Sequence, residues 1–217
     1  MNKMLKMITI VLAAWLVLTA CGTPAQAVAT DIPATTAPLS PAETASPAST
    51  AEQASAPACT SPTAATISMT EGPYFKANSP ERATLFEAGM PGTKLILSGY
   101  VLTTDCKPVS GALIDFWQAN ANGQYDNTGY TLRGHQFTDA TGHYQLTTVI
   151  PGLYPGRTEH IHVKVQAPNG PVLTTQLFFP GVAENDSDGI FDPTLLITTQ
   201  ETSDGILGMF NFVVNAP

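Results

Sequence analysis

The feature that most limits what this chain can fold into is a series of short segments with a period of two, broken by turn sequences. It starts at residues 94–103 (KLILSGYVLT). Residues 112–118 (ALIDFWQ) come next, after the turn 108–111 (PVSG). A weaker segment lies at 131–138, and 143–149 (HYQLTTV) follows the turn 139–142 (DATG). Then come 160–167 and, beyond the turn 168–171 (PNGP), 172–179. Residues 207–215 close the series. Alternation of apolar and polar residues marks a strand with one buried face. Short strands with turn signals between them make a sandwich or barrel. The expected fold is therefore all-β, a β-sandwich of mostly antiparallel strands with long loops, over residues 67–217. Helical periodicity nowhere lasts much beyond a turn; 81–88 and 192–197 are the best candidates for short helices.

The first third of the chain has a different character. Lys3 and Lys6 form a basic start, residues 8–20 are almost wholly apolar, and Cys21 follows Leu18, Thr19 and Ala20. A basic region, a short apolar core and small residues before a cut site read as an export signal. Its ending resembles a bacterial lipobox, with Cys21 as the lipid-bearing mature N-terminus. The apolar run is short for a bilayer span, the competing reading. Residues 22–66 are Ala, Thr, Ser and Pro with few large apolar side chains. Such a stretch cannot bury enough surface to offset its ordering entropy, so a disordered tether is expected. The expected location is extracytoplasmic, lipid-anchored to a bacterial membrane. Removing residues 1–20 takes away Lys3 and Lys6 and no acid, leaving 7 basic against 17 acidic residues, a net charge of −10. That balance argues against nucleic-acid binding and against attraction to anionic lipid surfaces. Two cysteines then remain beside Cys21. In an exported chain, Cys59 and Cys106 suggest a disulfide stapling the domain's N-terminal edge to a turn; two free thiols are the alternative.

His160 and His162 stand two apart at the head of the alternating segment HIHVKV, so a strand points both imidazoles to one face. Neutral imidazoles so placed can bind one metal ion. The stretches 109–112, 138–144 and 149–154 resemble the sandwich stalk modules of carboxypeptidase-regulatory and collagen-adhesin type. A non-catalytic stalk, or an aromatic- or metal-binding module, is thus the alternative function. Two further motifs discriminate: WQANxxGxY at 117–125 and YxxRxxHIH at 154–162, followed by TTQ at 174–176. Together they resemble the intradiol ring-cleavage dioxygenases over residues 68–215.

The resemblance implies a non-haem Fe(III) cofactor held by Tyr125, Tyr154, His160 and His162. Phenolates are hard anionic donors that suit a trivalent ion, which deprotonates them. Tyr154 matches the tyrosine that leaves the metal when substrate binds and then takes a substrate proton. Arg157 would stabilise negative charge on the activated ring, with Gln176 in the same or a positioning role. Gly72, Pro73 and Tyr74 match a segment bordering the substrate. The implied partners are a catechol-type diol and O2, and the product is a muconate-type dicarboxylic acid. His135 and His143 match no ligand position, and Trp117 reads as core. The helical dimerisation region of the catechol-cleaving relatives is replaced here by the tether, so that dimer is not expected. The second chain type of protocatechuate-cleaving relatives has no obvious counterpart. The stretch from Tyr154 to His160 is short beside many relatives, so a more open pocket is expected, one that admits larger or substituted catechols.

Overall fold

The computed structural model describes Cys59 and residues 63–216. The export segment, Cys21 and most of the tether lie outside the described residues. Nine strands form two sheets: β1 (Lys94–Thr103), β2 (Leu113–Gln118), β3 (Arg133–Phe137), β4 (His143–Val149), β5 (His160–Gln166), β6 (Val172–Phe178), β7 (Thr198–Thr202), β8 (Gly205–Met209) and β9 (Phe212–Val214). One sheet runs β4-β1-β8-β7, with β9 also on β1; the other runs β3-β2-β5-β6. Pairing is antiparallel except where β8 and β9 run parallel to β1. Leu95, Leu97, Val101 and Leu146 from the first sheet meet Ile114, Phe116, Ile161, Val163, Val165 and Leu177 from the second in one buried core. These are the apolar positions of the period-two segments, so the alternation itself sets which face turns inward.

Four local differences from expectation have physical causes. Residues 81–88 are not helical. They run extended along the open edges of both sheets, with Glu81 bridged to His135 and Thr84 to Thr147. Backbone bonds from Arg82 N to His135 O (2.8 Å) and from Leu85 N to Thr147 O (2.7 Å) satisfy edge groups of β3 and β4. Residues 192–197 hold one 3-10 turn, Pro193–Leu195, whose Asp192 side chain caps Thr194 N. The expected last strand, 207–215, divides in two. At Gly99 the Phe210 carbonyl approaches so closely that a Cβ would overlap it. There Asn211 Oδ1 accepts from Tyr100 N at 3.0 Å, and β1 changes partner from β8 to β9. Strand β7 is polar and mostly exposed, so hydrophobic alternation gave no sign of it.

Ahead of β1 the chain is tied to the C-terminal end of the sandwich. Thr63 N donates to Thr104 O (3.0 Å) and Thr66 N to Val213 O (2.9 Å). Cys59 and Cys106 are joined as a disulfide, with Cα atoms 5.6 Å apart.

Candidate metal centre

The outer face of the β3-β2-β5-β6 sheet carries the site. Its register aligns Arg133, Trp117, His162 and Gln176 in one row across four strands. Loops cover this face, so all four side chains are buried although they lie outside the inter-sheet core. The Trp117 ring stacks on His162 with centroids 4.9 Å apart and planes within 8°. Trp117 is therefore both buried and a wall of the site. His160 stands two residues before His162 on the same face, and its Nδ1 lies 2.6 Å from the Thr158 carbonyl. A carbonyl only accepts, so Nδ1 carries the proton and Nε2 keeps its lone pair. That Nε2 lies 3.1 Å from His162 Nε2. Burial pushes His160 down to about 4, against the pull of the Thr158 carbonyl, and the Arg157 cation adds to the fall. Burial also holds His162 well below the usual imidazole range, helped by His160 and Arg157. Both rings are neutral at pH 7, the state in which imidazole binds a metal. Gly72 closes over His162: φ is +71°, and a Cβ there would stand 3.2 Å from His162 Cε1. Pro73 is exposed in the turn beside it.

Two loops bring in phenols. Asn120 Oδ1 accepts from Asn122 N and Gln124 N, folding the turn that leads to Tyr125. Asp126 accepts the N–H groups of Thr128, Gly129 and Thr131, fixing the chain just after it. Gly152 N donates to Asn120 O at 2.9 Å, which ties the second loop to the first. Gln118 fastens the base of both: Nε2 donates to Val149 O (2.8 Å), and Oε1 accepts from Thr148 Oγ1 (2.8 Å). Tyr154 and Arg157 then close a tight turn, Arg157 N to Tyr154 O at 2.8 Å. The Tyr125 ring centroid ends 6.1 Å from that of Tyr154 and 6.4 Å from that of His162. Tyr74 joins them, its hydroxyl 2.9 Å from Tyr154 Oη and its ring stacked on Tyr125 at 4.3 Å. Burial pushes the Tyr125 phenol well above its ordinary range, opposed by Arg157 and Arg133.

Arg157 is held from two sides. Its Nε donates to Asp188 Oδ2 (2.9 Å) and its Nη2 to Gln176 Oε1 (2.6 Å). Gln176 Nε2 donates in turn to Thr70 O (2.9 Å), linking β6 to the segment over His162. A cavity of about 450 Å³ opens at Tyr154 and Arg157, lined also by Leu153, Pro155, Glu184 and Asp188. His135 bonds Ser79 (3.1 Å) and His143 faces Asp139 (4.0 Å), so neither joins the cluster. Gln118 and Asn120 stood in the WQANxxGxY motif without a role, and Asp126, Arg133 and Asp188 were not singled out by sequence reasoning. The polar turn 126–129 (DNTG) signals a side-chain-capped loop; nothing local marks Arg133 or Asp188.

Among the described residues no three His, Cys, Asp or Glu side chains gather as a metal site. The donor set here is of another kind: two imidazoles and two phenols. It fits a hard trivalent cation. The Nε2 atoms converge, that of His160 unprotonated and accepting from His162, and burial keeps the Tyr125 phenol protonated in the absence of a cation.

A family model described as "Dioxygenase" matches residues 70–209. The dioxygenase domain of a dioxygenase and carbohydrate-binding protein fusion from Streptomyces sp. SirexAA-E is 52% identical, with a TM-score of 0.70; the match covers 71% of this chain and 100% of that one. The 3-chlorocatechol 1,2-dioxygenase of Rhodococcus opacus 1CP is 27% identical, with a TM-score of 0.65 over 70% of this chain and 73% of that one. A protocatechuate 3,4-dioxygenase beta chain of Burkholderia cepacia is 31% identical over 138 residues, 55% of this chain and 57% of that one. The chain spans about half the length of the curated relatives it matches, 50% to 57% for the first three. Because the matched span runs through strands β1 to β8 and takes in every side chain of the cluster, the chain belongs to the intradiol ring-cleavage dioxygenase family.

Proposed function

We propose that this protein binds non-haem Fe(III) through Tyr125, Tyr154, His160 and His162 and opens a catechol-type ring with O2 to a muconate-type dicarboxylic acid. The observation that carries this is the convergence of two neutral imidazoles, Nε2 to Nε2 3.1 Å, with two phenols beside a cavity. A sandwich stalk has no use for buried, unbalanced polar groups of this kind. When bound, ferric iron would supply a Lewis acid that draws electron density from a bound catechol and makes it reactive toward O2.

The chain's own residues do the rest. Tyr154, at the cavity wall, would hold the metal in the resting site and would take a substrate proton at its phenolate oxygen. The Tyr74 hydroxyl, 2.9 Å away, is placed to keep that oxygen solvated by a hydrogen bond. Arg157 presents a fixed cation at the cavity wall, so charge developing on the ring meets a dipole and a charge that need not reorganise. Trp117 and Gly72 cover the two sides of His162 and exclude water from it. The cavity of about 450 Å³ exceeds a single ring, which supports substituted catechols as substrates. Residues 1–21 are read as the export and lipidation segment, with Cys21 as the only membrane attachment and residues 22–66 as tether. The composition of those stretches supports this reading.

The test is colour and product. Loaded with ferric iron, the protein should absorb in the visible through tyrosinate-to-iron charge transfer, and a catechol panel under O2 should yield ring-opened diacids. A protein that stays colourless would overturn the metal assignment. A coloured protein with no product would leave only a binding module. Tyr154→Phe and His160→Ala should each weaken colour or turnover. Cys21→Ser should move the protein out of the membrane fraction.

A further inference from the structure

The cavity at Tyr154 holds a carboxylate that ring opening does not use. Among the described residues its lining carries one cation, Arg157, and two acids, Asp188 and Glu184. Arg157 and Asp188 are paired at 2.9 Å, so their charges largely offset each other away from the pair. Among the described residues the Glu184 carboxylate has no ion pair and no hydrogen bond. Its backbone is nonetheless firmly held. Glu184 O accepts from Ser187 N at 3.1 Å and from Asp188 N at 3.0 Å. The next residue, Asn185, accepts the Thr158 hydroxyl at 2.6 Å and donates to Phe179 O at 2.9 Å. The 3-10 turn Ala183–Asp186 is thus pinned to the chain beside β5 and β6, and it presents a half-buried carboxylate from a fixed position. Elsewhere the lining offers apolar surface: Leu153 is 45% exposed, and Pro155 is exposed two residues on. Such a wall suits a ring substituent that is apolar along its length and positive at its tip. A carboxylate tip meets repulsion there and finds no uncommitted cation to bind it.

We propose that Glu184 is a specificity-determining residue that selects catechols whose ring substituent carries a cation, such as an alkylammonium, over those whose substituent carries a carboxylate. This rests on the ring-opening reading of the site and names the class of substituent that reading leaves open. The alkyl part of the substituent lies along Leu153 and Pro155, and its ammonium faces Glu184.

The effect has opposite signs for the two kinds of tail. One half-exposed charge acting on another changes binding by up to about fivefold. Neutralising Glu184 removes an attraction for the cation and a repulsion for the anion, so the ratio of kcat/KM between them should fall by about tenfold. Added salt should shrink the preference of the wild type, because charges that face each other across a wet cavity are screened.

The experiment uses the iron-loaded full chain and three catechols alike except at the tip of one substituent: ethyl, aminoethyl and carboxymethyl. Turnover under O2 and equilibrium binding under nitrogen are measured for wild type, Glu184→Gln and Glu184→Lys, at low and high salt. Wild type should rank aminoethyl above ethyl and ethyl above carboxymethyl. The Gln variant should lose most of this ranking, and the Lys variant should reverse it. Ratios to the ethyl compound cancel any general loss from poor folding. A wild type that treats the aminoethyl and carboxymethyl compounds alike would overturn the proposal, as would variants that keep the wild-type ratios. Loss of binding of all three compounds in both variants would also overturn it, since that describes a residue that only holds the fold. A wild type that binds the three in the expected order and opens none refutes ring opening while supporting charge selection at Glu184.

Discussion

Arg157 shows what a single residue gains from its neighbours. Its guanidinium is fixed by Asp188 and Gln176 at 2.9 and 2.6 Å, so its charge is aimed rather than merely present. Arg157→Met should lower kcat by about a hundredfold or more while ferric colour persists, as removal of a preorganised charge does elsewhere. Stopped-flow turnover beside an absorption spectrum checks both parts. Asp188 gives a pH prediction. Burial pulls its carboxyl up, but the Thr158 and Ile190 N–H groups and Arg157 outweigh this and hold it below the usual carboxylate range. Its folded pKa thus lies below the unfolded value of about 3.9. The stability it contributes is present above about pH 4 and is lost as pH falls through the lower, folded value. Asp188→Asn should be less stable than wild type at neutral pH and show a flatter loss below pH 4. Urea unfolding across the acid range decides it; parallel curves would count against the assignment.

At the scale of elements, the site is two loops clamped to one strand. Gly123, φ +74°, lies under the Leu153 carbonyl, where a Cβ would overlap it. This contact sits two residues before Tyr125 and one before Tyr154, so it fixes how close the two phenols come. Gly123→Ala should cost about 1–3 kcal/mol through backbone strain and displacement, and should abolish ferric colour before it abolishes the fold. Circular dichroism alongside metal titration separates the two losses; unchanged colour would mean that the loops are positioned by something else. The loops were only partly legible. The WQANxxGxY motif carried the family resemblance, yet the reason for its glycine is a carbonyl 30 residues away in sequence. Strand β7 and the extended run 81–88 were missed because their pairing answers to open sheet edges, which no local pattern encodes.

Across the whole molecule, β1 separates two ends with different tasks. Lys94 pairs with Val149, from which the chain runs on to Tyr154, while Thr103 leads into the turn of Cys106. Ten residues of strand set these ends about 30 Å apart. The disulfide to Cys59, 47 residues away in sequence, constrains the N-terminal edge and lies at the end away from the histidine and tyrosine cluster. Reduction should therefore lower stability by about 2–4 kcal/mol and lower Tm, with the ferric band unmoved. Calorimetry and absorption on the same reduced sample test this; a band that fades on reduction would show that the two ends are coupled.

The sequence by itself determined the fold class and which side chains share a face, because a period of two is a property of the strand and needs no partner to be expressed. It determined that His160 and His162 look the same way and that Ile161, Val163 and Val165 look the other. Only the tertiary structure decided what those faces meet. That Arg133, Trp117, His162 and Gln176 form one row depends on strand register. That Asp188 reaches Arg157 across 31 residues, and Tyr74 reaches Tyr154 across 80, depends on loop packing. Distance and burial set the charge state and aim of each group, and both arise only when segments remote in the chain exclude water together.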